Sequence, residues 1–273
     1  MNDVIFKNDK IYITNVQNFD LTQTLDCGQA FRWNQKPDGT WYGIAYGKYI
    51  ELTYENENIV ISNSKKEDFT KIWCHYFDLG LDYGKIITEV SQNPTVAKAA
   101  EFSSGIRLLN QEPWEALCSF IISQNNNIPR IKGIVERLCE NFGDKINGGY
   151  TFPSAEVISK LTLDDLAVIR SGFRAKYILD AAQKITLGEI NLDTLKAIDY
   201  DTARNILMTI KGVGPKVADC VLLYGLEHKN AFPRDVWINR ALDQMFNGNI
   251  PDSVGKYGGI VQQYIFHYIR NNQ

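Results

Sequence analysis

The stretch Leu207-Met208-Thr209-Ile210-Lys211-Gly212-Val213-Gly214-Pro215-Lys216-Val217-Ala218-Asp219-Cys220 decides the fold. Upstream of it, Ala203, Ile206, Leu207 and Ile210 recur at helical spacing and mark one face of a short helix. Lys211-Gly212-Val213-Gly214 interrupts that helix. Pro215 suits the first turn of the next, where a missing N–H costs nothing. Val217, Ala218, Val221 and Leu222 give the second helix an apolar face. The spacing therefore predicts helix, tight Gly-x-Gly hairpin, helix. Such a hairpin presents backbone N–H groups at a helix N-terminus, which is an anion site able to hold a DNA phosphate without reading sequence. An αα-corner with glycines for close packing fits the pattern equally well. From Arg204 to Arg240 there are six Lys/Arg against three Asp/Glu, a basic patch in a chain of net charge −3.

Lys216 and Cys220 lie four residues apart and share a helix face. Further on, Phe232-Pro233-Arg234-Asp235-Val236-Trp237 places Asp235 where an N-cap belongs, before Ile238, Ala241, Leu242 and Met245. A lysine amine is a nucleophile toward an electrophilic carbon, and a carboxylate stabilises positive charge developing on a sugar. Taken singly, a solvated helix lysine and a capping aspartate are the plainer readings.

The rest of the 273 residues set the frame. Hydrophobic residues are 44% and charged residues 22%, which excludes a disordered or collagen-like chain. The net charge excludes a generic polycation. No apolar run approaches the roughly 18 residues of a membrane helix. MNDVIFKNDKIYI carries charges and no apolar centre, so a signal peptide is not expected. The five cysteines are scattered and include no C-x-x-C pair. With only three histidines, this argues against a disulfide framework, a structural zinc, an iron–sulfur cluster or a catalytic metal. Residues up to about 65 read as strands, with Ile11 and Ile13 and then Tyr49, Glu51 and Thr53 alternating. Turn signals fall at Lys36-Pro37-Asp38-Gly39, Tyr46-Gly47-Lys48 and Asn56-Glu57-Asn58. From Lys66 the period turns helical. Trp114, Leu117, Cys118 and Ile121 form one stripe, and Ile131, Ile134, Val135 and Leu138 another. The expected class is α+β, with an antiparallel sheet domain at 1–95 and a larger helical region at 96–273.

Leu207-x-x-Ile210-Lys211-Gly212-Val213-Gly214-Pro215-Lys216-Val217-Ala218-Asp219-Cys220, followed by Pro233-x-Asp235-Val236, resembles the helix-hairpin-helix DNA glycosylases. More narrowly it is similar to the bacterial-type 8-oxoguanine DNA glycosylase/AP lyases. Two further motifs agree: Asp26-Cys27-Gly28-Gln29-Ala30-Phe31-Arg32-Trp33, and Gln111-Glu112-Pro113-Trp114-Glu115 leading through Ser119-Phe120-Ile121-Ile122-Ser123-Gln124-Asn125-Asn126-Asn127-Ile128-Pro129-Arg130-Ile131. The resemblance spans essentially the whole chain. It implies a sheet domain packed on two helical parts, with the C-terminal helix returning to the active site.

It also implies roles. Lys216 is the nucleophile at C1′ and Asp235 stabilises the sugar cation. Gly28 offers its carbonyl to the N7–H that 8-oxoguanine has and guanine lacks. Cys220 and Phe266 sandwich the flipped base, and Gln262 bonds its Watson–Crick edge. Asn125 fills the gap in the duplex, Phe173 wedges between bases, and Arg130 and Arg174 contact the orphaned cytosine. Gly212 and Gly214 belong to the phosphate-gripping hairpin. No redox cofactor or metal is implied beyond a monovalent cation near Gly212 and Val213. The implied protein is a cytoplasmic, nucleoid-associated monomer acting on duplex DNA that contains 8-oxoguanine.

On the residues alone, Gln262 and Phe266 share a face of the last helix, though Phe266 also reads as core with Ile265 and Ile269. Asn125-Asn126-Asn127 reads as an exposed turn or a capping loop, Gly28 as a turn glycine, Cys220 as a small core thiol, and both arginines as solvated. The chain departs from the better-known eukaryotic pattern at Phe173 (tyrosine there), Trp237 (histidine) and Pro129 (a small residue). The competing readings are a related glycosylase for another damaged base and a DNA-holding module without catalysis.

Overall fold

The computed structural model describes residues 3–7, 10–250 and 252–272. Part of the MNDVIFKNDKIYI stretch therefore lies outside the described residues. β1 (Asp3–Lys7) pairs antiparallel with β2 (Lys10–Thr14). α1 (Leu21–Leu25) follows, capped by Asp20, whose carboxylate accepts the Gln23 N–H at 2.7 Å. β3 (Trp33–Gln35), β4 (Trp41–Ala45), β5 (Lys48–Glu55) and β6 (Asn58–Ser62) complete a six-stranded sheet in the order β1-β2-β6-β5-β4-β3. The turns are where the sequence puts them. Tyr46 and Gly47 (φ 51° and 66°) and Asn56 and Glu57 (φ 49° and 66°) all take the left-handed conformation that two-residue hairpins require. Ile11 and Ile13 are buried, as are Ile50 and Leu52, so the period-2 reading holds along β2 and β5.

The helical part begins with α2 (Lys66–Asp68), a π-helical turn over Phe69–Trp73, and α3 (Cys74–Tyr76). α4 (Tyr83–Val90), α5 (Pro94–Phe102), α6 (Pro113–Ser123) and α7 (Ile128–Phe142) follow. A small hairpin of β7 (Lys145–Ile146) and β8 (Gly149–Tyr150) leads into α8 (Ala155–Ser159) and α9 (Ala175–Thr186). Next come α10 (Leu192–Ala197), α11 (Tyr200–Leu207) and α12 (Pro215–Tyr224). α13 (Val236–Phe246) and α14 (Gly258–Asn271) complete the chain. The fold is α+β, with two corrections of detail: a short helix interrupts the N-terminal strands, and a hairpin interrupts the helices. Both are too short for periodicity to register.

The chain forms two compact units that cut across the expected division at residue 95. One comprises Met1–Gln29, Leu52–Asn110 and His228–Gln273; the other comprises Ala30–Glu51 and Gln111–Glu227. In the first, α14 packs on α5 and α13. In the second, α12 packs on α6 and α11.

Residues 105–111 are buried without being helix or strand, which obliges their N–H groups to find partners. Thr24 Oγ1 accepts from Arg107 at 3.1 Å, Tyr83 Oη from Leu108 at 2.9 Å, and Gln29 Oε1 from Leu109 at 2.9 Å. The Arg107 guanidinium in turn donates to the carbonyls of Asn18 (3.1 Å), Asp78 (2.8 Å) and Gln17 (2.9 Å), with Tyr83's ring 4.5 Å away.

A partly buried ion pair sits in the other unit. Arg32 lies 3.4 Å from Glu115 and donates to the Tyr150 carbonyl at 2.5 Å. Burial pushes the Glu115 carboxyl from 4.5 up to about 7, against the opposing pull of Arg32. The folded chain thus holds a proton that the unfolded chain releases near pH 4.5. That stabilisation is complete below about pH 4.5 and is lost as the pH rises through 7. Relative to Glu115→Gln, the wild type should lose on the order of 3 kcal/mol between pH 4.5 and 7.5. Urea unfolding of both proteins across that range measures it, and a pH-independent difference contradicts the assignment.

Candidate active site

α12 is capped by Gly214 and starts at Pro215, and every residue from Val217 to Tyr224 is buried. Lys216 is the half-buried residue at its mouth. The Lys216 Nζ lies 5.3 Å from the centre of the Phe120 ring, which stacks on Tyr224 at 5.2 Å and meets Phe31 edge-on at 5.8 Å. Phe31 belongs to the N-terminal motif and Phe120 to the α6 motif, so three sequence-distant segments build one aromatic seat under the amine. The face of the Phe120 ring attracts a cation. Within its unit no carboxylate pairs with Lys216. Lys211 differs: it is exposed and 3.2 Å from Asp180. Cys220 is buried one turn along α12.

The helix that carries Lys216 is itself anchored. Asp219 is 5% exposed and ion-paired. Arg204 Nε reaches its Oδ1 at 2.6 Å, and the Tyr200 hydroxyl donates to the same oxygen at 2.7 Å, tying α11 to α12. Asp180 on α9 accepts the Lys211 N–H at 2.9 Å and steadies the hairpin from the other side. Val213 donates to the Ile210 carbonyl at 3.0 Å, closing the turn. Gly212 has φ 76°, and a Cβ there would come within 2.3 Å of the Tyr177 ring; a Cβ on Gly214 would meet nothing. Tyr177 also meets Phe173 edge-on at 5.8 Å.

Asn125 is exposed at the tip of the loop between α6 and α7, with φ 46°. Asn127 caps α7, its Oδ1 accepting the Arg130 N–H at 3.0 Å. The triplet thus divides the two readings, one asparagine capping and another projecting. Phe173 is 48% exposed and Arg130 is exposed. Arg174 is not solvated. It is buried, its guanidinium donating to the carbonyls of Gln124 (2.9 Å), Asn125 (3.0 Å) and Ser171 (3.1 Å). With its donors spent on main chain, Arg174 buttresses the Asn125 loop from behind. A base contact from Arg174 has to break these bonds, whereas Arg130 is free to make one.

In the other unit Asp235 caps α13, its Oδ1 accepting the Ile238 N–H at 2.8 Å. Capping uses one carboxylate oxygen and leaves the second for chemistry, so the structural and functional readings coexist. Ile265 and Ile269 are buried and Phe266 is half-exposed, which removes the reading of Phe266 as core. Gln262 is 4% exposed, and its Oε1 is buried without a hydrogen-bond partner. A buried carbonyl oxygen left unpaired costs about 1–3 kcal/mol unless a ligand satisfies it. Gly28 takes φ 85°, a conformation that favours glycine.

Lys216, Cys220, Asn125, Arg130, Phe173, Arg174, Gly212 and Gly214 fall in one unit, and Gly28, Asp235, Gln262 and Phe266 in the other. The sequence reading assigned no role to Phe120, Asp180, Asp219, Arg204 or Tyr200. The charge of Asp219 within an apolar helix was the available signal.

Residues 11–117 match the family model described as 8-oxoguanine DNA glycosylase, N-terminal domain, and residues 118–253 the model for the HhH-GPD superfamily base excision DNA repair protein. The chain is 35% identical over 264 residues to the N-glycosylase/DNA lyase of Saccharomyces cerevisiae, covering 86% of this chain and 70% of that one. It is 31% identical over 232 residues to a probable N-glycosylase/DNA lyase of Methanothermobacter thermautotrophicus, covering 72% and 74%. Its structure is similar to that of Clostridium acetobutylicum 8-oxoguanine glycosylase/lyase in complex with double-stranded DNA containing cytosine opposite to 8-oxoG. There the TM-score is 0.94 at 38% identity over 99% of both chains.

The two hairpin glycines separate conformational demand from ligand access. Gly212→Ala should lower the melting temperature by several degrees, corresponding to about 1–3 kcal/mol of backbone strain. Gly214→Ala should change it little. Thermal unfolding of both variants tests this, and equal losses would contradict the geometry.

Proposed function

Because the chain belongs to the N-glycosylase/DNA lyase family of the HhH-GPD base excision repair superfamily, we propose that it excises 8-oxoguanine from duplex DNA and then cleaves the abasic strand. The observation that carries this reading is Lys216, a single amine held on an aromatic seat at the mouth of a buried helix that begins at a Gly-x-Gly hairpin.

The target carbon is stacked inside duplex DNA, so the nucleotide is first flipped out, at a cost on the order of a few kcal/mol. The hairpin N–H groups around Gly212 and Gly214 grip phosphate. Asn125 enters the gap, Phe173 wedges beside it, and Arg130 takes the orphaned base. Cys220 and Phe266 are assigned the two faces of the flipped base. Gln262, whose Oε1 lacks a partner, is assigned its Watson–Crick edge. The Gly28 carbonyl accepts from N7–H of 8-oxoguanine. Facing the N7 lone pair of guanine it has no donor, at a cost of about 1–3 kcal/mol.

The deprotonated Lys216 Nζ attacks C1′, the C1′–N9 bond breaks, and its electron pair leaves with the base. The carboxylate of Asp235 stabilises the positive charge that builds on the sugar. The amine adduct opens to a Schiff base. Loss of a C2′ proton then expels the 3′ phosphate by β-elimination. The hairpin near Gly212 and Val213 is assigned a monovalent cation, and no step passes through it. A cytosolic monomer working on chromosomal DNA is part of the same proposal. No helix among the described residues is long and apolar enough to cross a membrane.

Lys216→Gln should abolish base release and borohydride trapping on abasic DNA while retaining lesion binding, since the amide keeps its length but cannot act as a nucleophile. Persistent trapping would point to another amine. Asp235→Asn should slow excision by about two orders of magnitude or more. Its melting temperature should barely change, because asparagine caps a helix about as well as aspartate. A large loss of stability with normal excision would make Asp235 a cap alone.

A further inference from the structure

Gly28 lies between two buried glutamine side chains that the mechanism above does not use. Gln29 is fully buried. Its Nε2 donates to the Thr24 carbonyl at 2.9 Å and the Arg107 carbonyl at 2.8 Å, and its Oε1 accepts from Leu109. That fixes the residue after Gly28. On the other side, Gln263 of α14 is 2% exposed, and its Nε2 donates to the Cys27 carbonyl at 3.1 Å across 236 residues of sequence. The Cys27 thiol, pushed up to about 12 by burial, stays protonated and donates to the Thr24 carbonyl at 3.3 Å. The Cys27–Gly28 peptide is therefore held from α14, while Gly28 itself takes a φ of 85° that few other residues tolerate.

The direction in which the Gly28 carbonyl points depends on the peptide planes on either side of it. One is set within the N-terminal segment and the 107–109 stretch; the other is set by a helix that arrives at the end of the chain. On that helix Gln263 is adjacent to Gln262 and three residues before Phe266, the two α14 residues assigned to the base. We propose that Gln263 is a positioning residue for lesion recognition: it locks the Cys27–Gly28 peptide so that the Gly28 carbonyl stays aimed at the N7 edge of the flipped base. α14 then presents three coordinated contacts, an amide, a ring, and a carbonyl that belongs to another segment. The proposal rests on the base-reading role assigned to Gly28.

The test compares single-turnover excision of 8-oxoguanine with cleavage of a preformed abasic site, which has no base to read, in wild type, Gln263→Leu, Gln263→Glu and Gly28→Ala. Melting temperatures are taken on the same samples. Gln263→Leu should lower the ratio of excision to abasic cleavage by about tenfold, as expected for losing one buried hydrogen bond that holds an aimed group. A general loss of stability lowers both activities and leaves the ratio unchanged. Gln263→Glu adds a signature that a structural role does not produce. Its carboxyl donates to the Cys27 carbonyl only when protonated, so the ratio should approach wild type at acidic pH and fall as the pH rises, while Gln263→Leu stays flat. If Gly28→Ala lowers the ratio and both Gln263 variants keep it, Gln263 does not position the loop. If Gly28→Ala also keeps it, the base-reading assignment fails and the proposal fails with it.

Discussion

Burial of α12 on every side is the constraint from which the placement of the Lys216 amine follows. From Val217 to Tyr224 every residue is buried, so a long charged side chain such as that of Lys216 has room only at the helix's first turn. Its hydrophobic faces alone would leave it free to rotate or slide by a residue. Asp219 removes that freedom. A buried carboxylate must keep its partners, and Arg204 and Tyr200 lie on the helix before the hairpin. The ion pair thus indexes one helix against the other, and Lys216 is placed by a charge three residues away. Removing one member of such a pair leaves the other buried and uncompensated, which is strongly destabilising.

The same logic operates at the other end of the recognition problem. A backbone carbonyl has no rotamer of its own, so whatever it reads is set by the segments that hold it. Gln29, Thr24 and Gln263 supply that hold, and a buried irregular stretch at 105–111 supplies the surface against which Gln29 closes.

Much of this was legible in the sequence because it depends on local chemistry. The hairpin, the Pro215 start of α12, the Asp235 cap and the stripes of α6 and α7 follow from turn residues and periodicity. The turns marked at Tyr46-Gly47-Lys48 and Asn56-Glu57-Asn58 do as well, with the left-handed pairs at 46–47 and 56–57. The side chains that hold the site were not legible, because each is defined by a partner far away along the chain. Gln29 and Leu109, Arg204 and Asp219, and Gln263 and Cys27 are pairs whose members look unremarkable alone. Arg174 illustrates the same limit. Its sequence position suggests an exposed DNA contact, yet its guanidinium faces inward onto the Gln124 and Asn125 carbonyls. The fold also separates into units that interleave along the chain, which no composition shift announces.

The central claim is that one amine, that of Lys216, forms the covalent link to the sugar. It is tested most directly by reducing the complex with 8-oxoguanine duplex using borohydride, digesting it, and locating the deoxyribose remnant by peptide mass spectrometry. A single modified site is expected at Lys216, within the peptide that carries the Gly212-Val213-Gly214 hairpin. A remnant on Lys211, on another lysine or on the N-terminal amine would contradict it.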